Sequence, residues 1–124
     1  MDTVALDVPD LMRATGEWAA APEGTVIGHV HLQVGDIPQA EEFYAGTLGF
    51  DIRSKLPGAS FYSTGGYHHH LATNTWNSRG AGPRSPDATG LAELVLAADA
   101  ASMARLGADR FTDPWGTVVT VRPQ

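Results

Sequence analysis

The histidines are the residues whose type and spacing could do chemistry in this chain. All five lie in two short segments, at positions 29, 31, 68, 69 and 70. Imidazole nitrogens bind divalent transition metals, at ~2.0–2.1 Å in the case of zinc. The clustering predicts a metal site, and leaves a metal-free polar pocket or hydrogen-bonded structural histidines as alternatives.

Alternation along the first segment places its two imidazoles together. Apolar residues at positions 30, 32 and 34 alternate with His29, His31 and Gln33, which is the period of a strand with one buried face. Residues two apart on a strand share a face and lie ~6.5–7 Å apart. His29 and His31 are therefore expected to project from the same face, with Gln33 continuing it.

The second segment is expected to add two more imidazoles to that face. Leu71 is predicted to pack in the apolar layer, which turns His68 and His70 inward and His69 outward. Adjacent strands lie ~4.8 Å apart, so imidazoles from both segments can reach one ion. Burying so many unpaired polar groups costs free energy, which favours the metal site over the alternatives.

Other side chains near this face are candidates for binding a small molecule. Gln33 and Asn74 offer amides, Tyr62 and Tyr67 offer hydroxyls that could donate protons to a bound oxyanion, and Trp76 is placed at the rim. His31 and His68, if they are not ligands, are the candidates for moving protons.

The elements that position these residues follow from periodicity and turn residues. Strands are predicted over 25–34, 50–53, 59–64, 67–76, 91–96 and 116–122, and helices over 37–48 and 99–106. The order is β-α-β-β-β, then a loop over 77–89, then β-α-β with at least one strand fewer. This approximate repeat indicates an α+β domain.

Composition excludes several classes of function. With 124 residues the chain forms one domain, and its net charge of −6 argues against nucleic-acid binding. The absence of cysteine excludes disulfides and thiolate ligands. No apolar run approaches the ~20 residues of a membrane span. Because residues 1–10 carry three acids and no base, no signal peptide is predicted, and a cytoplasmic protein is expected.

The first 23 residues are predicted to form a helical appendage to a domain at 24–124. Asp7 can cap a helix whose apolar face carries Leu11, Met12, Thr15 and Trp18. Such a short helix is not stable alone, so it is expected to dock on the sheet or on a partner.

Several motifs carry a family resemblance. They are Gly28-His-Val-His-Leu-Gln-Val34 with Asp36, Phe43-Tyr44, Leu48-Gly49-Phe50, Gly65-Gly-Tyr-His-His-His70, Asn74-Thr-Trp76 and Asp113-Pro-Trp-Gly116. Together they resemble the vicinal oxygen chelate superfamily of glyoxalases, bleomycin-resistance proteins and extradiol dioxygenases. Residues 59–76 are most similar to the second half of catechol 2,3-dioxygenases of the CatE type. The resemblance implies βαβββ modules that form a cup-shaped, strongly curved mixed sheet, with the second module shortened.

The resemblance also implies a ligand set. The family's first ligand corresponds to His29 and its next to His70, whereas the last two positions correspond to Leu91 and Thr120. Glu93 shares the face of Leu91 and could substitute, as could His31 or His68. His29, His70 and Glu93 would suit Fe(II), the first expectation, whereas a histidine-rich set would suit Zn(II) or Cu(II), and Mn is also possible.

Two function classes follow from the resemblance. The first is a metal-dependent enzyme, of the dioxygenase or glyoxalase (lyase) type, acting on a catechol-like or other vicinal-oxygen substrate. The second is a non-catalytic antibiotic-binding protein of the bleomycin-resistance type, which the missing terminal Glu favours. Exposed strand edges predict a homodimer in either case.

Overall fold

The computed structural model describes residues 5–13, 19–85 and 87–124. The helices are α1 (Val8–Arg13), α2 (Ile37–Glu41), which a π-helical segment (Glu42–Thr47) continues, and α3 (Ala100–Leu106). The strands are β1 (Val30–Gln33), β2 (Asp51–Leu56), β3 (Ala59–Ser63), β4 (Leu71–Asn74), β5 (Leu94–Ala98), β6 (Arg110–Thr112) and β7 (Val118–Pro123). The expected α+β class is confirmed.

The first module, residues 30–74, is the predicted β-α-β-β-β unit. Its sheet has the order β1-β4-β3-β2, in which β1 and β4 are parallel and the other pairs antiparallel. The first strand is shorter than predicted because β4 offers register partners only for Val30–Gln33. Val26 and Ile27 precede it and are 81% and 82% exposed.

The second module, residues 93–123, has one strand fewer, as predicted. Its sheet has the order β5-β7-β6, with β5 parallel and β6 antiparallel to β7. β6 was not predicted, because it has only three residues. Asp113 forms the turn that joins it to β7 by accepting hydrogen bonds from the backbone N–H groups of Trp115 (3.0 Å) and Thr117 (2.7 Å).

The helix of the first module begins and ends at the residues expected. Asp36 caps α2 by accepting a hydrogen bond from the Gln39 N–H at 2.9 Å. The π-helical segment then places Tyr44 in the core, where it is fully buried. Gly49 follows with a φ of +82°, a left-handed conformation that favours glycine.

One core joins the two modules. It contains Leu32, Tyr44 and Leu71 of the first module and Trp115 and Val119 of the second. Within it the Tyr44 hydroxyl donates a hydrogen bond of 2.8 Å to the Asp113 carboxylate. Burial and the neighbouring carboxylate raise the pKa of Tyr44, so this hydroxyl keeps its proton and the contact ties the modules together.

The predicted N-terminal helix is present but short. Asp7 accepts a hydrogen bond from the Asp10 N–H at 2.9 Å, and Leu11 and Met12 are exposed. The other two residues of the predicted apolar face, Thr15 and Trp18, lie outside the described residues. Among the residues described, no helix has the length and apolarity that crossing a membrane requires.

Candidate metal centre

The two faces of the first sheet have different chemistry. One face packs Leu32, Tyr62 and Leu71 into the core. The other, here called the imidazole face, carries His31 beside its register partner Ala72, which in turn pairs with Phe61. β1 therefore presents an imidazole on the side of the sheet away from the helix, as its alternation predicts.

Three imidazoles converge on this face. His29, His31 and His69 each offer a ring nitrogen, and these nitrogens all lie within 4.8 Å of one another. The Nε2 atoms of His31 and His69 are 3.0 Å apart. The rings of His29 and His69 stack with centroids 4.4 Å apart. The structure thus assembles a triad from residues 29, 31 and 69.

The predicted orientation of the second histidine segment is wrong. His69 is 1% exposed and joins the triad, whereas His68 and His70 were expected to face inward. Leu71 does pack in the core, as predicted, but β4 begins only at that residue. The alternation therefore does not extend back through positions 68–70.

A bulge immediately before β4 explains the reversal. The His70 N–H donates to the Tyr62 carbonyl at 2.8 Å, although the register partner of Tyr62 is Leu71. Residues 70 and 71 therefore both lie opposite Tyr62, which is the arrangement of a β-bulge. The extra residue turns His69 to the imidazole face.

Burial favours the neutral form of two of the three rings, His31 and His69. Burial, and then the charge of His29, lower the pKa of His69 to about 4. The same two causes lower the pKa of His31. Neutral imidazole is the form that binds metals, so these two rings are ready to do so near neutral pH.

The buried ring of His69 is not fully satisfied by hydrogen bonds. Its Nδ1 atom is buried and has no partner within the described residues. A buried polar atom without a partner costs free energy. A water molecule at Nδ1 would remove that cost, whereas Nε2 is the atom that faces His31.

The donor set and spacing fit a divalent ion. Two nitrogens at ~2.0–2.1 Å from one ion lie roughly 3–3.4 Å apart, which the His31–His69 distance of 3.0 Å approaches. Small rotations of the side chains would close the remaining gaps. Three imidazoles without a carboxylate are a set that Zn(II), Cu(II), Ni(II) or Fe(II) can accept.

Two of the three residues expected as ligands lie apart from this triad. The Nδ1 atom of His70 accepts a hydrogen bond from the Thr64 N–H at 3.3 Å. Glu93 accepts hydrogen bonds from Thr120 and from Arg110, the latter at 3.1 Å. These contacts lower the pKa of the Glu93 carboxyl group, and the hydrogen bond from Thr120 has the largest effect. Of the three expected ligands, the structure brings only His29 into the group.

His68 lies beside the triad without joining it. Its ring centroid is 4.6 Å from that of His69 and 6.0 Å from that of His29. The side chain is exposed, and Tyr67 packs against its ring at 4.2 Å. A titratable group thus stands at the solvent side of the cluster.

The other residues predicted to bind a small molecule lie in different parts of the structure. Gln33 and Asn74 are register partners on the imidazole face. Tyr62 is fully buried on the core face, with its hydroxyl 2.9 Å from that of Thr73. Trp76 is exposed, and its indole N–H donates to the Pro57 carbonyl at 3.3 Å. The structure therefore places two of these residues on the triad's face.

A match to a family model identifies the family of this chain. Residues 26–106 match the Glyoxalase/Bleomycin resistance protein/Dioxygenase superfamily. The chain belongs to this superfamily. The expected resemblance to vicinal oxygen chelate proteins is thereby confirmed, and the match includes all three triad residues.

One curated relative is similar to this chain over part of the relative's own length. The chain is 43% identical over 95 residues to a catechol-2,3-dioxygenase of Bacillus subtilis (strain 168). The aligned region covers 73% of this chain but 33% of that protein. The chain thus spans about a third of the length of the curated relative that it matches.

Solved structures support the fold. A lactoylglutathione lyase from Agrobacterium tumefaciens is similar with a TM-score of 0.53 and 20% identity, covering 82% of this chain and 94% of that one. An antibiotic binding protein from Streptomyces sp. CB03234, TnmS3, has a TM-score of 0.57 and 22% identity, covering 82% and 98%. The fold is thus shared by proteins with different activities.

Proposed function

We propose that this protein is a metal-dependent vicinal oxygen chelate enzyme of the dioxygenase type, acting on a small molecule with two adjacent oxygens. The convergence of three imidazoles on one face of the first module is the observation that carries the proposal. The identity to a catechol-2,3-dioxygenase supports the reaction class.

In this proposal the triad holds the ion. His29, His31 and His69 supply the ligands, which replaces the earlier expectation of His29, His70 and Glu93. When bound, a divalent ion supplies Lewis-acid chemistry toward vicinal oxygens. His69 fixes the site most firmly, because it is the buried member of the group.

The neighbouring residues would bind and orient the substrate. The Phe61 ring lies 5.1 Å from that of His69 and 6.1 Å from that of His31, so it offers an apolar wall to an aromatic substrate. Gln33 and Asn74 would donate amide hydrogen bonds on the same face. His68, at the solvent side, would accept a proton from a substrate hydroxyl.

The donor set also bears on the identity of the metal. The Fe(II) first expected is typically bound by two histidines and a carboxylate, but the Glu93 carboxylate is occupied by Arg110 and Thr120. An all-imidazole set suits Zn(II) or Cu(II). Metal analysis of protein purified without a metal-affinity column identifies the ion.

The activity is tested by oxygen uptake with catechol as the probe. The protein, stripped with a chelator and reloaded in turn with Fe(II), Zn(II), Cu(II) and Mn(II), is expected to consume oxygen with at least one of these ions. His31→Ala should abolish uptake, and Arg79→Ala is the matched control. Metal binding with no uptake for any ion would contradict the dioxygenase proposal.

A second candidate is a non-catalytic antibiotic-binding protein. The observation that favours it is that Thr120, at the position of the family's terminal Glu, donates a hydrogen bond to Glu93. The similar structure of an antibiotic binding protein is compatible with it. Saturable binding of bleomycin to chelator-treated protein, without oxygen uptake when metal is added, would establish this alternative.

We also propose a homodimer. β1 and β5 each pair on one side only within the described sheets, and Val26 and Ile27 leave apolar surface beside β1. Unprotected strand edges favour association. Light scattering at micromolar concentration should give twice the chain mass of 13.1 kDa, and a monomeric mass would contradict the proposal.

A further inference from the structure

A crevice between the two modules lies apart from the metal-binding triad. It has a volume of about 570 Å³, within the range of small-molecule sites. Residues 48–50 and 64–65 of the first module form one wall, and β5 and α3 form the other. None of the triad residues lines it.

The floor of the crevice is apolar. Phe50, Leu96 and Leu106 line it, and all three are partly buried against the core that joins the modules. Apolar surface of this kind favours the body of an aromatic or short acyl molecule.

Two hydrogen-bond donors, Arg105 and His70, also line the crevice. Arg105 of α3 donates one N–H to the Leu48 carbonyl at 2.6 Å, which leaves further N–H groups of its guanidinium for a ligand. His70 accepts from the Thr64 N–H through Nδ1. Its Nε2 atom in the neutral ring is therefore the one that carries the proton and donates.

Gly49, which follows the π-helical segment, leaves room for the guanidinium of Arg105. A Cβ atom at Gly49 would lie 2.2 Å from an Arg105 nitrogen, so any larger residue there would displace the arginine. This close approach packs the guanidinium against Gly49 in the lining of the crevice.

The acidic side chain of the lining, Asp99, lies at the other end of α3. Asp99 caps that helix by accepting from the Ser102 N–H at 2.7 Å, and Arg105 lies six positions further along, roughly 9 Å along a helix. An anionic group would therefore bind at the Arg105 end, away from Asp99.

We propose that this crevice binds a small monocarboxylate with an aromatic or acyl body, whose carboxylate contacts Arg105 and His70. Guanidinium–carboxylate pairing gives charge-assisted hydrogen bonds. The β-bulge at residues 70–71 places His70 in this site and His69 in the triad, so the two sites share a peptide bond. The proposal does not depend on the metal function.

The probes are benzoate and its neutral counterpart benzamide. Their binding is measured by the backbone amide NMR shifts of the full chain. Benzoate should bind with a Kd on the order of millimolar, as befits so small a ligand, and shift the amides of residues 48–50 and 95–98. Benzamide should bind about tenfold more weakly, because it lacks the charge.

Variants test whether Arg105 is responsible for the binding of benzoate. Arg105→Gln should weaken benzoate binding about tenfold, and Arg105→Lys should restore part of it. Arg79→Gln is the matched control, since Arg79 lies at the opposite end of the first sheet beside Gly58. If Arg105→Gln does not fold, the wild-type comparison of benzoate with benzamide still decides.

Three outcomes would overturn the proposal. They are the absence of saturable benzoate shifts, equal binding of benzamide, and shifts confined to residues 29, 31 and 69. The last would assign benzoate to the triad and leave the crevice without a ligand.

Discussion

The first module buries its central strands on both faces, whereas the second leaves its sheet half-exposed. Every residue of β3 and β4 is buried, but β5 alternates between partly buried and exposed positions. The polar groups of the two modules differ accordingly. The imidazole triad of the first module contains the buried, neutral His69, whereas Glu93 and Arg110 in the second form a solvent-accessible ion pair.

This difference indicates where ligand binding can be pre-organised. Burial lowers the pKa of His69 to about 4, so its ring is neutral near neutral pH and can bind an ion without first losing a proton. The second module uses its carboxylate within its own sheet, where solvent screens the ion pair. The comparison predicts that metal chemistry belongs to the first module and that the second supports it structurally.

The largest effect on stability is expected where the modules meet. Asp113→Ala removes the acceptor of the Tyr44 hydroxyl and of two backbone N–H groups, and should cost about 3 kcal/mol of unfolding free energy. Urea denaturation measures it. Tyr44→Phe, which removes one hydrogen bond, should cost about 1 kcal/mol. Equal losses would show that Asp113 acts only through Tyr44.

The pH dependence of stability should arise from the first module. His69 has a folded pKa of about 4, below its unfolded value of ~6.5, so the unfolded chain binds more protons between these values. Metal-free protein should therefore lose stability as pH falls from ~6.5 to about 4. Urea midpoints across this range should vary less in His69→Gln than in the wild type, and an equal variation in the two proteins would contradict the prediction.

The smallest effect is expected in the second module. Glu93→Gln and Thr120→Val should leave metal affinity unchanged, because Glu93 is held by Arg110 and Thr120. Calorimetric titration with Zn(II) checks this. A marked loss of affinity in Glu93→Gln would break the comparison, since it would show that the second module supplies a ligand.

Much of the fold could be predicted from the sequence. The helices predicted over 37–48 and 99–106 are present and begin at the caps Asp36 and Asp99, and alternation placed His31 and Leu71 on their correct faces. These features depend on local chemistry and on a regular period of two, both of which are visible in the residues themselves.

The candidate site could be predicted only in part. The cluster and two of its members, His29 and His31, follow from the sequence. The third, His69, does not, because a β-bulge at residues 70–71 shifts the period and no residue type among three consecutive histidines marks it. The short β6 was missed because three residues are too few to show a period of two.

The central claim is that the first module binds a metal ion through a triad that includes His69 and excludes His70. The most direct test is calorimetric titration with Zn(II) of chelator-treated wild type, His69→Ala and His70→Ala, all purified without a metal-affinity column. His69→Ala should lose more than about a hundredfold in affinity, because even changes in the surroundings of ligands cost 10–100-fold, and His70→Ala should bind as the wild type does. Loss of binding in His70→Ala together with wild-type affinity in His69→Ala would contradict the account.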